Sequence, residues 1–200
     1  MTRRWTFVRH GQSVANAEGW LAGQIDTELT PLGRAQAEQT RAALADVVLD
    51  RAFSSDLVRA HETAQIILAD HDGVPLRTTA ALRERECGQW RRRRIDDLQP
   101  GPEYDRALRG WHSRPPGGES LHEVAHRAIT WLGSVDTHDG PTLVVAHGAL
   151  IRAVIGALDG LPYDEIGQWR PRNCEVVDRD LDPGAWDDVL RRIGPPAEPG

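Results

Sequence analysis

The sequence contains no lysine, and all 24 of its basic residues are arginine. Without lysine the chain cannot form a Schiff base or use the lysine of a P-loop to bind phosphate. Acidic residues outnumber basic ones by 30 to 24, which gives a formal net charge of −6 at pH 7. That charge argues against general nucleic-acid binding. Lysine chemistry is therefore excluded, and no nucleic-acid partner is expected.

Cysteines and long apolar runs are also scarce. Cys87 and Cys174 are the only two cysteines, too few for a disulfide framework or a cysteine-based zinc site. The N-terminal residues lack the apolar core of a signal peptide, and no apolar run approaches the roughly 18 residues of a membrane span. We expect a cytoplasmic protein with no membrane partner. Two hundred residues of uniform composition favour one domain.

Two apolar runs each end in a histidine followed by a glycine. Residues 5–8 lead into Arg9-His10-Gly11, and residues 142–146 lead into His147-Gly148. A short apolar run predicts a buried strand, and ligands bind at the carboxyl ends of strands in open α/β sheets. Arginine suits an anion such as phosphate, and a neutral imidazole can attack it. The repeated pattern predicts one shared site at the two strand ends.

Strand and helix patterns alternate along the rest of the chain. Strands are predicted at 5–8, 51–54, 74–79, 142–146 and 175–179, and the main helices at 32–45, about 57–70, 103–111, 121–132 and 149–158. Ser55 or Asp56 is the expected cap of the second of these helices. Arg59 then lies in its first turns, either as a solvated surface arginine or as a second phosphate clamp.

Two segments are expected to cover the site. Residues 12–28 are polar and contain several glycines, so they favour a loop over a helix, with Asn16 as the best ligand candidate. Residues 91–118 contain many prolines and glycines around a short helical pattern, which indicates a helical lid inserted in a domain spanning 1–194. Residues 195–200 are expected to be frayed.

Residues 122–126 match the zinc-protease pattern HExxH. The helical spacing places His122 and His126 beside the apolar stripe and Glu123 nearly opposite it, towards solvent. Glu123 also has a local role, because Ser120 and Glu123 form a capping box. A zinc peptidase is therefore only a remote alternative. The remaining histidines, at 61, 71, 112 and 138, are expected at the surface.

Several short motifs occur in a characteristic order between residue 5 and about residue 180. They are Arg9-His10-Gly11, Asn16, Leu29-Thr30-Pro31-Leu32-Gly33, Ser54-Ser55-Asp56-Leu57-Val58-Arg59-Ala60 with Thr63-Ala64, Leu82-Arg83-Glu84, Pro116-Gly117-Gly118-Glu119-Ser120 and Ala146-His147-Gly148. Together they resemble the histidine phosphatase superfamily, also called the phosphoglycerate mutase-like family, in its small phosphatase branch. The resemblance implies a three-layer α/β/α sandwich with a mostly parallel central sheet, no metal or cofactor, and a phosphohistidine intermediate.

The resemblance also assigns roles to individual residues. His10 corresponds to the nucleophile, Arg9 and Arg59 to the phosphate-binding arginines, His147 to a second phosphate-site histidine and Glu84 to the acid. The neighbouring substrate-binding candidates are Asn16, Gly23, Gln24 and Gly148. This set implies hydrolysis of a small phosphorylated metabolite.

A phosphoglycerate mutase is the alternative within the family. The segment between Glu84 and His147 is too short for the longer insertion of cofactor-dependent mutases, which favours a hydrolase. A phospho-ligand binder without activity is disfavoured because every matched catalytic position is intact. Four arginines, Arg91 to Arg94, follow Trp90; they are either a solvated turn or a positive field that selects substrates with a second anionic group. A homodimer is left open.

Overall fold

A five-stranded sheet in the order β3-β2-β4-β1-β5 forms the centre of the computed structural model, which describes residues 2–98, 102–137 and 140–197. The strands are β1 (Arg3–Arg9), β2 (Arg51–Ser55), β3 (Leu76–Thr79), β4 (Thr142–Ala146) and β5 (Val176–Leu181). The helices are α1 (Val14–Glu18), α2 (Pro31–Leu44), α3 (Val58–Ile67), α4 (Pro102–Arg109), α5 (Leu121–Val135), α6 (Gly148–Leu158), α7 (Tyr163–Ile166) and α8 (Ala185–Ile193).

The sheet is mostly parallel, as predicted. β1, β2, β3 and β4 pair in parallel, and only β5 is antiparallel, along the outer edge of β1. Side chains on β1 and β4 alternate between two cores. Phe7 and Val144 pack with α5, α6 and α8, whereas Val8 and Val145 pack with α2 and α3. Because both faces of the central strands are buried under helices, the fold has the three layers expected.

The segment after β1 differs from the prediction. Residues 14–18 form helix α1 rather than a loop. Ser13 caps it, because its Oγ accepts a hydrogen bond from the Asn16 backbone N–H. Asn16 Oδ1 in turn accepts from Ser13 N, which completes a capping box. The glycine content of 12–28 masked this local signal. The helix ends at Gly19, whose φ of 72° is the left-handed conformation that glycine adopts without strain.

The predicted cap of α3 was also wrong. The N-cap residue is Leu57, which has no capping side chain, and Ser55 Oγ instead accepts from the Leu57 N–H. The first turn of α3 is capped from a distance, because Asp26 Oδ1 accepts from Val58 N at 2.9 Å. This bond ties the loop before α2 to the start of the helix that carries Arg59.

The proposed lid and tail are described in part. Helix α4 ends at Arg109, two residues earlier than predicted. Residues 99–101 and His138 lie outside the described residues, as do 198–200 of the predicted frayed tail, while 195–197 carry no regular secondary structure. Over the described ranges, the helices are all too short or too polar to cross a membrane.

Two glycines allow the turn after β1 to lie against the start of α2. A Cβ on Gly33 would lie 2.1 Å from the Gln12 carbonyl oxygen, and one on Gly11 would lie 2.3 Å from the Gly33 oxygen. Thr30 N donates to the same Gln12 carbonyl, at 2.9 Å. The backbone that follows His10 is therefore held by direct contact with another backbone.

We expect Gly33→Ala to force this contact apart. Overpacking of this kind costs about 1 to 3 kcal/mol, and the displaced turn should also lower turnover. Urea unfolding and steady-state kinetics check both effects. Gln39→Ala, an exposed change in the same helix, serves as the control and should alter stability by less than about 0.5 kcal/mol. Wild-type stability and turnover in Gly33→Ala would show that the close approach is dispensable.

Candidate active site

The two His-Gly turns lie side by side at one edge of the sheet. β1 and β4 pair so that Arg9 is opposite Ala146, and His10 N donates to the Ala146 carbonyl at 3.0 Å. The imidazole rings of His10 and His147 are consequently 5.0 Å apart between centroids. The two histidines that the sequence predicted at neighbouring strand ends therefore lie next to each other.

The hydrogen bonding of His10 defines its tautomer. Its Nδ1 lies 2.7 Å from the Gly11 carbonyl oxygen, which can only accept, so Nδ1 carries the proton of the neutral ring and Nε2 keeps a lone pair. Burial lowers the pKa of His10 well below its ordinary value, and the charges of Arg59 and Arg9 lower it further. His10 is therefore held as a neutral imidazole whose Nε2 can act as a nucleophile.

His147 is fully buried at the N-cap position of α6. Neither ring nitrogen has a hydrogen-bond partner within the described part of the chain. Burial also lowers the pKa of His147 well below its ordinary value, with Arg59 and His10 as further causes. An imidazole with both nitrogens unsatisfied, beside His10, is suited to bonding with a ligand at this position.

Two arginines approach the histidines, and neither has a carboxylate partner in the part of the chain that the structure describes. Arg59 is 2% exposed and donates to the carbonyls of Gly23 and Ile25, both at 2.9 Å. Arg9 donates to the Pro171 carbonyl at 2.7 Å, and its guanidinium lies close to Gly148. Because carbonyls rather than carboxylates orient these side chains, their positive charge stays available to an anion. The alternative interpretation of Arg59 as a solvated surface arginine is therefore wrong.

Glu84 lies at the N-terminus of α6. Its Oε1 accepts from Arg85 N at 2.8 Å and from Ala149 N at 3.2 Å. A carboxylate is stabilised at this end of a helix, where free N–H groups and the helix dipole are both favourable. Its backbone carbonyl accepts from Arg127 and from Gln24. Glu84 therefore reaches the same helix end as His147.

The substrate-binding candidates separate into two groups. Asn16, Gly23 and Gly148 line the cleft beside His10, whereas Gln24 is not among the described residues that line it and instead donates to the Glu84 carbonyl. Asn16 Oδ1 accepts from Ser13 N and from Asn173 Nδ2. The amide nitrogen of Asn16 is thus the atom that can donate to a ligand.

The cleft has a volume of about 230 Å³ and a strongly positive lining. In the described chain its charged lining residues are five arginines and a single carboxylate, namely Arg9, Arg59, Arg85, Arg152, Arg170 and Glu84. Sequence reasoning missed Arg85, Arg152 and Arg170 as lining residues. Arg152 could have been found, because it follows Gly148 and Ala149 by one turn of α6; Arg170 lies in a connecting segment without a pattern.

The run Arg91 to Arg94 does not line the cleft. All four residues are exposed, and Arg91 pairs with Glu86 at 3.3 Å. The backbone of this run pairs with the segment at Trp20 and Leu21, which does line the cleft. The run therefore supports the outer wall, and the arginines inside the cleft come from elsewhere in the chain.

The HExxH residues are engaged in packing. His122 is 3% exposed, more buried than predicted, stacks on Trp111 at 5.3 Å between ring centroids and donates from Nε2 to the Gly194 carbonyl at 3.0 Å. Glu123 completes the predicted capping box with Ser120. Across the described ranges, no group of three or more His, Cys, Asp or Glu side chains is arranged to hold a metal ion.

Comparison with known proteins identifies the family. Residues 5–192 match the model of the histidine phosphatase superfamily (branch 1). The chain belongs to that superfamily. A glucosyl-3-phosphoglycerate phosphatase of Mycolicibacterium vanbaalenii is 35% identical, with 96% of this chain and 92% of the relative covered. A 2,3-bisphosphoglycerate-dependent phosphoglycerate mutase 2 of Gloeobacter violaceus is also 35% identical, with 85% and 82% covered.

A solved structure supports the same assignment. Mycobacterial glucosyl-3-phosphoglycerate phosphatase in complex with VO3 superposes with a TM-score of 0.79 and 33% identity, covering 88% of this chain and 92% of that one. The α/β fold predicted from the resemblance is confirmed, and so is the enzyme class. The protein is a hydrolase of the histidine phosphatase type that acts on small phosphorylated metabolites.

The lowered pKa of His147 predicts a pH dependence of stability. In the unfolded chain His147 binds a proton below about pH 6.5, whereas the folded protein keeps it neutral until the pH is much lower. The unfolded state therefore binds more protons in this window, and the free energy of unfolding falls as the pH is lowered. The contribution of one such histidine is up to about 1.4 kcal/mol per pH unit.

Urea unfolding of the wild type and His147→Gln between pH 7.5 and 5 tests this effect. The free energy of unfolding of His147→Gln should fall less steeply below about pH 6.5 than that of the wild type, whatever its value at pH 7.5. Some slope should remain, because His10 contributes in the same direction. Parallel slopes in the two proteins would mean that His147 protonates freely in the folded state.

Proposed function

We propose that the protein hydrolyses the phosphomonoester of a small metabolite that carries an anionic group besides the reacting phosphate. The observation that carries this proposal is the cleft lined by five arginines and one carboxylate, around a histidine whose Nε2 is unprotonated. The relative from M. vanbaalenii is a glucosyl-3-phosphoglycerate phosphatase, so glucosyl-3-phosphoglycerate is the first substrate to test.

In the first step, His10 Nε2 attacks phosphorus in line with the bond to the leaving oxygen. The N–P bond forms as the P–O bond breaks, while Nδ1 keeps its proton and donates it in a hydrogen bond to the Gly11 carbonyl. Arg9 and Arg59, held by main-chain carbonyls, and His147 stabilise the charge on the non-bridging oxygens. Asn16 and the N–H of Gly148, which also line the cleft, are further donors to the phosphoryl group.

Glu84 acts as the general acid in the first step and as the general base in the second. In its protonated form it donates to the leaving alkoxide, and the resulting carboxylate then takes a proton from the water that attacks phosphohistidine. The P–N bond breaks, the electron pair returns to His10 Nε2 and phosphate leaves. The bonds from Arg85 N and Ala149 N hold the carboxyl group in place for both transfers.

The segment 91–118 is proposed to act as a lid in a single domain spanning 1–194. Ile95, Tyr104 and Leu108 contribute apolar lining to the cleft, and Tyr104 stacks on Trp90 at 5.5 Å between ring centroids. An apolar wall on the outer side of a charged cleft excludes water from the reacting phosphate. The electrostatic interactions inside the cleft are stronger as a result.

His10→Ala should lower turnover by several orders of magnitude, because no other group in the cleft replaces the nucleophile. Wild-type protein quenched with ³²P-labelled substrate should carry an acid-labile, base-stable label that is missing from His10→Ala. His61→Ala, a half-buried histidine of α3 that does not line the cleft, is the matched control. Normal turnover by His10→Ala would refute the covalent mechanism.

Glu84→Gln should discriminate between leaving groups. The amide oxygen can still accept from Ala149 N, but the side chain no longer delivers a proton, so an alkyl phosphate should be hydrolysed about 10²- to 10⁴-fold more slowly. p-Nitrophenyl phosphate, whose leaving group departs without protonation, should be much less affected. Comparison of kcat on the two substrates tests the role, and equal slowing of both would remove Glu84 from it.

A mutase activity is the second candidate, because the Gloeobacter relative is a phosphoglycerate mutase. The two activities differ in whether water or a second substrate hydroxyl receives the phosphoryl group. Incubation with 3-phosphoglycerate, followed by measurement of free phosphate and of 2-phosphoglycerate, separates them. Phosphate release supports the proposed hydrolase, and isomerisation without phosphate release would replace it.

A further inference from the structure

Arg152 is a buried arginine that contacts no carboxylate among the described residues. It is 8% exposed and lines the cleft from α6, and it forms no ion pair with a carboxylate in the described chain. Its Nη2 donates to the Leu108 carbonyl at 2.9 Å, but its Nε has no partner among the described residues. A buried charge left without a partner is costly. Such a residue is expected where a ligand supplies the missing anion.

Burial lowers the pKa of Arg152 to about 10, and the neighbouring charge of Arg85 adds to the shift. At neutral pH the side chain is nevertheless cationic, since this value is well above 7. Arg152 therefore keeps a full charge in a position where it is poorly solvated, and an anion that enters the cleft would be attracted strongly.

Arg85 does not compete for the same ligand. Its guanidinium donates to the carbonyls of Ala107, Leu108, Ser113 and Glu119. Each of the three nitrogens of the guanidinium therefore already donates to a main-chain carbonyl. Arg85 thereby holds the end of α4 against the cleft. Its charge strengthens the positive potential, but the contact with a ligand must come from other residues.

Arg170 supplies a second cation at the rim of the cleft. It is exposed and, within the described ranges, forms no hydrogen bond or ion pair through its side chain. Its charge is felt by both Arg9 and Arg152, which places it near both. Because its side chain is exposed and has no carboxylate partner among the described residues, Arg170 can change rotamer and bind an anion in the cleft.

The spacing along α6 separates Arg152 from the position expected for the reacting phosphate. Gly148, Ala149 and Arg152 all line the cleft, and residues three or four apart share one face of a helix. The rise of 1.5 Å per residue places Arg152 about 6 Å along the helix from Gly148. A ligand with its phosphate at the N-terminus of α6 would therefore have to carry its second anion only a few bonds away.

We propose that Arg152 and Arg170 form a carboxylate subsite that makes the enzyme specific for phosphorylated hydroxy acids. This inference rests on the proposed function and adds to it the residues that recognise the second anionic group. A planar carboxylate matches the fork of a guanidinium, and the free Nε of Arg152 offers one donor of that fork. Glu84, the single acid that lines the cleft in the described chain, bonds to the start of α6. Its charge acts on Arg152, but among the described residues it forms no hydrogen bond or ion pair with that side chain, so the Nε of Arg152 stays open to a ligand.

Two substrates that differ only at the carboxylate test the subsite. 3-Phosphoglycerate and glycerol 3-phosphate share the phosphate ester, and a carboxylate in the first replaces a hydroxymethyl group in the second. The wild type should prefer 3-phosphoglycerate in kcat/KM. Arg170→Gln should reduce that preference by about 10- to 100-fold, the usual effect of one hydrogen bond between charged groups. The loss should appear mainly in KM.

Control variants separate contact from general charge. Arg93→Gln removes one exposed positive charge that does not line the cleft, and it should leave the substrate preference intact. Arg152→Gln should lose the preference and Arg152→Lys should recover part of it; circular dichroism verifies that both fold. Glycerate, which has the carboxylate but no phosphate, should inhibit the wild type better than glycerol, and this difference should vanish in Arg170→Gln.

The outcomes distinguish the subsite from the proposed function. If p-nitrophenyl phosphate and both glycerol derivatives are all inert, the phosphatase proposal itself fails. If the wild type hydrolyses both glycerol derivatives with equal kcat/KM, the carboxylate subsite is refuted while the phosphatase stands. An equal loss of preference in Arg93→Gln and Arg170→Gln would also refute it, because the discrimination would then come from net charge.

Discussion

The parallel pairing of β1 with β4 is the interaction on which the site depends. A shift of one residue between these strands would exchange the two faces of the shifted strand, so Val145 would move from the core beneath α2 and α3 to the opposite side. Burial on both faces prevents that shift, since Phe7 and Val144 fill one core and Val8 and Val145 the other. The register in turn fixes His10 and His147 at 5.0 Å between ring centroids. Hydrophobic packing far from the cleft thus determines its catalytic geometry.

Main-chain atoms orient most of the charged side chains of the cleft. Arg59 and Arg9 donate to backbone carbonyls, and Glu84 accepts from backbone N–H groups. Partners of this kind hold an arginine without neutralising it, whereas a carboxylate would compete with the substrate for the same donors. The loops around the cleft are consequently part of the site. Gly23, whose carbonyl holds Arg59, has a φ of 53°, and this conformation is strained for residues with a side chain.

Local signals in the sequence predicted the strands and main helices of this fold. One error came from a partner distant in the chain and another from a local signal that was given too little weight. The five strands, the main helices and the capping box of α5 follow from periodicity and from residues within one turn. The capping of α3 by Asp26 spans 32 residues and has no local pattern. Helix α1 was missed although Ser13 and Asn16 form a local capping box, because glycine content was given more weight than the cap. The resemblance named His10, His147, Arg9, Arg59 and Glu84, which the fold brings to one edge of the sheet.

The arginines show why a charge run in the sequence is a poor guide to the field inside a cleft. Arg91 to Arg94 are exposed, so water and salt screen them over a Debye length of about 10 Å at 0.1 M ionic strength. Arg152 is a single residue in an apolar helix, but it is 8% exposed, and two charges 4 Å apart interact by about 4 kcal/mol near a protein surface and by only about 1 kcal/mol in bulk water. One desolvated arginine beside the substrate therefore outweighs several solvated ones. Burial depends on the tertiary fold, and for this reason the substrate-selecting charges had to be found in the structure.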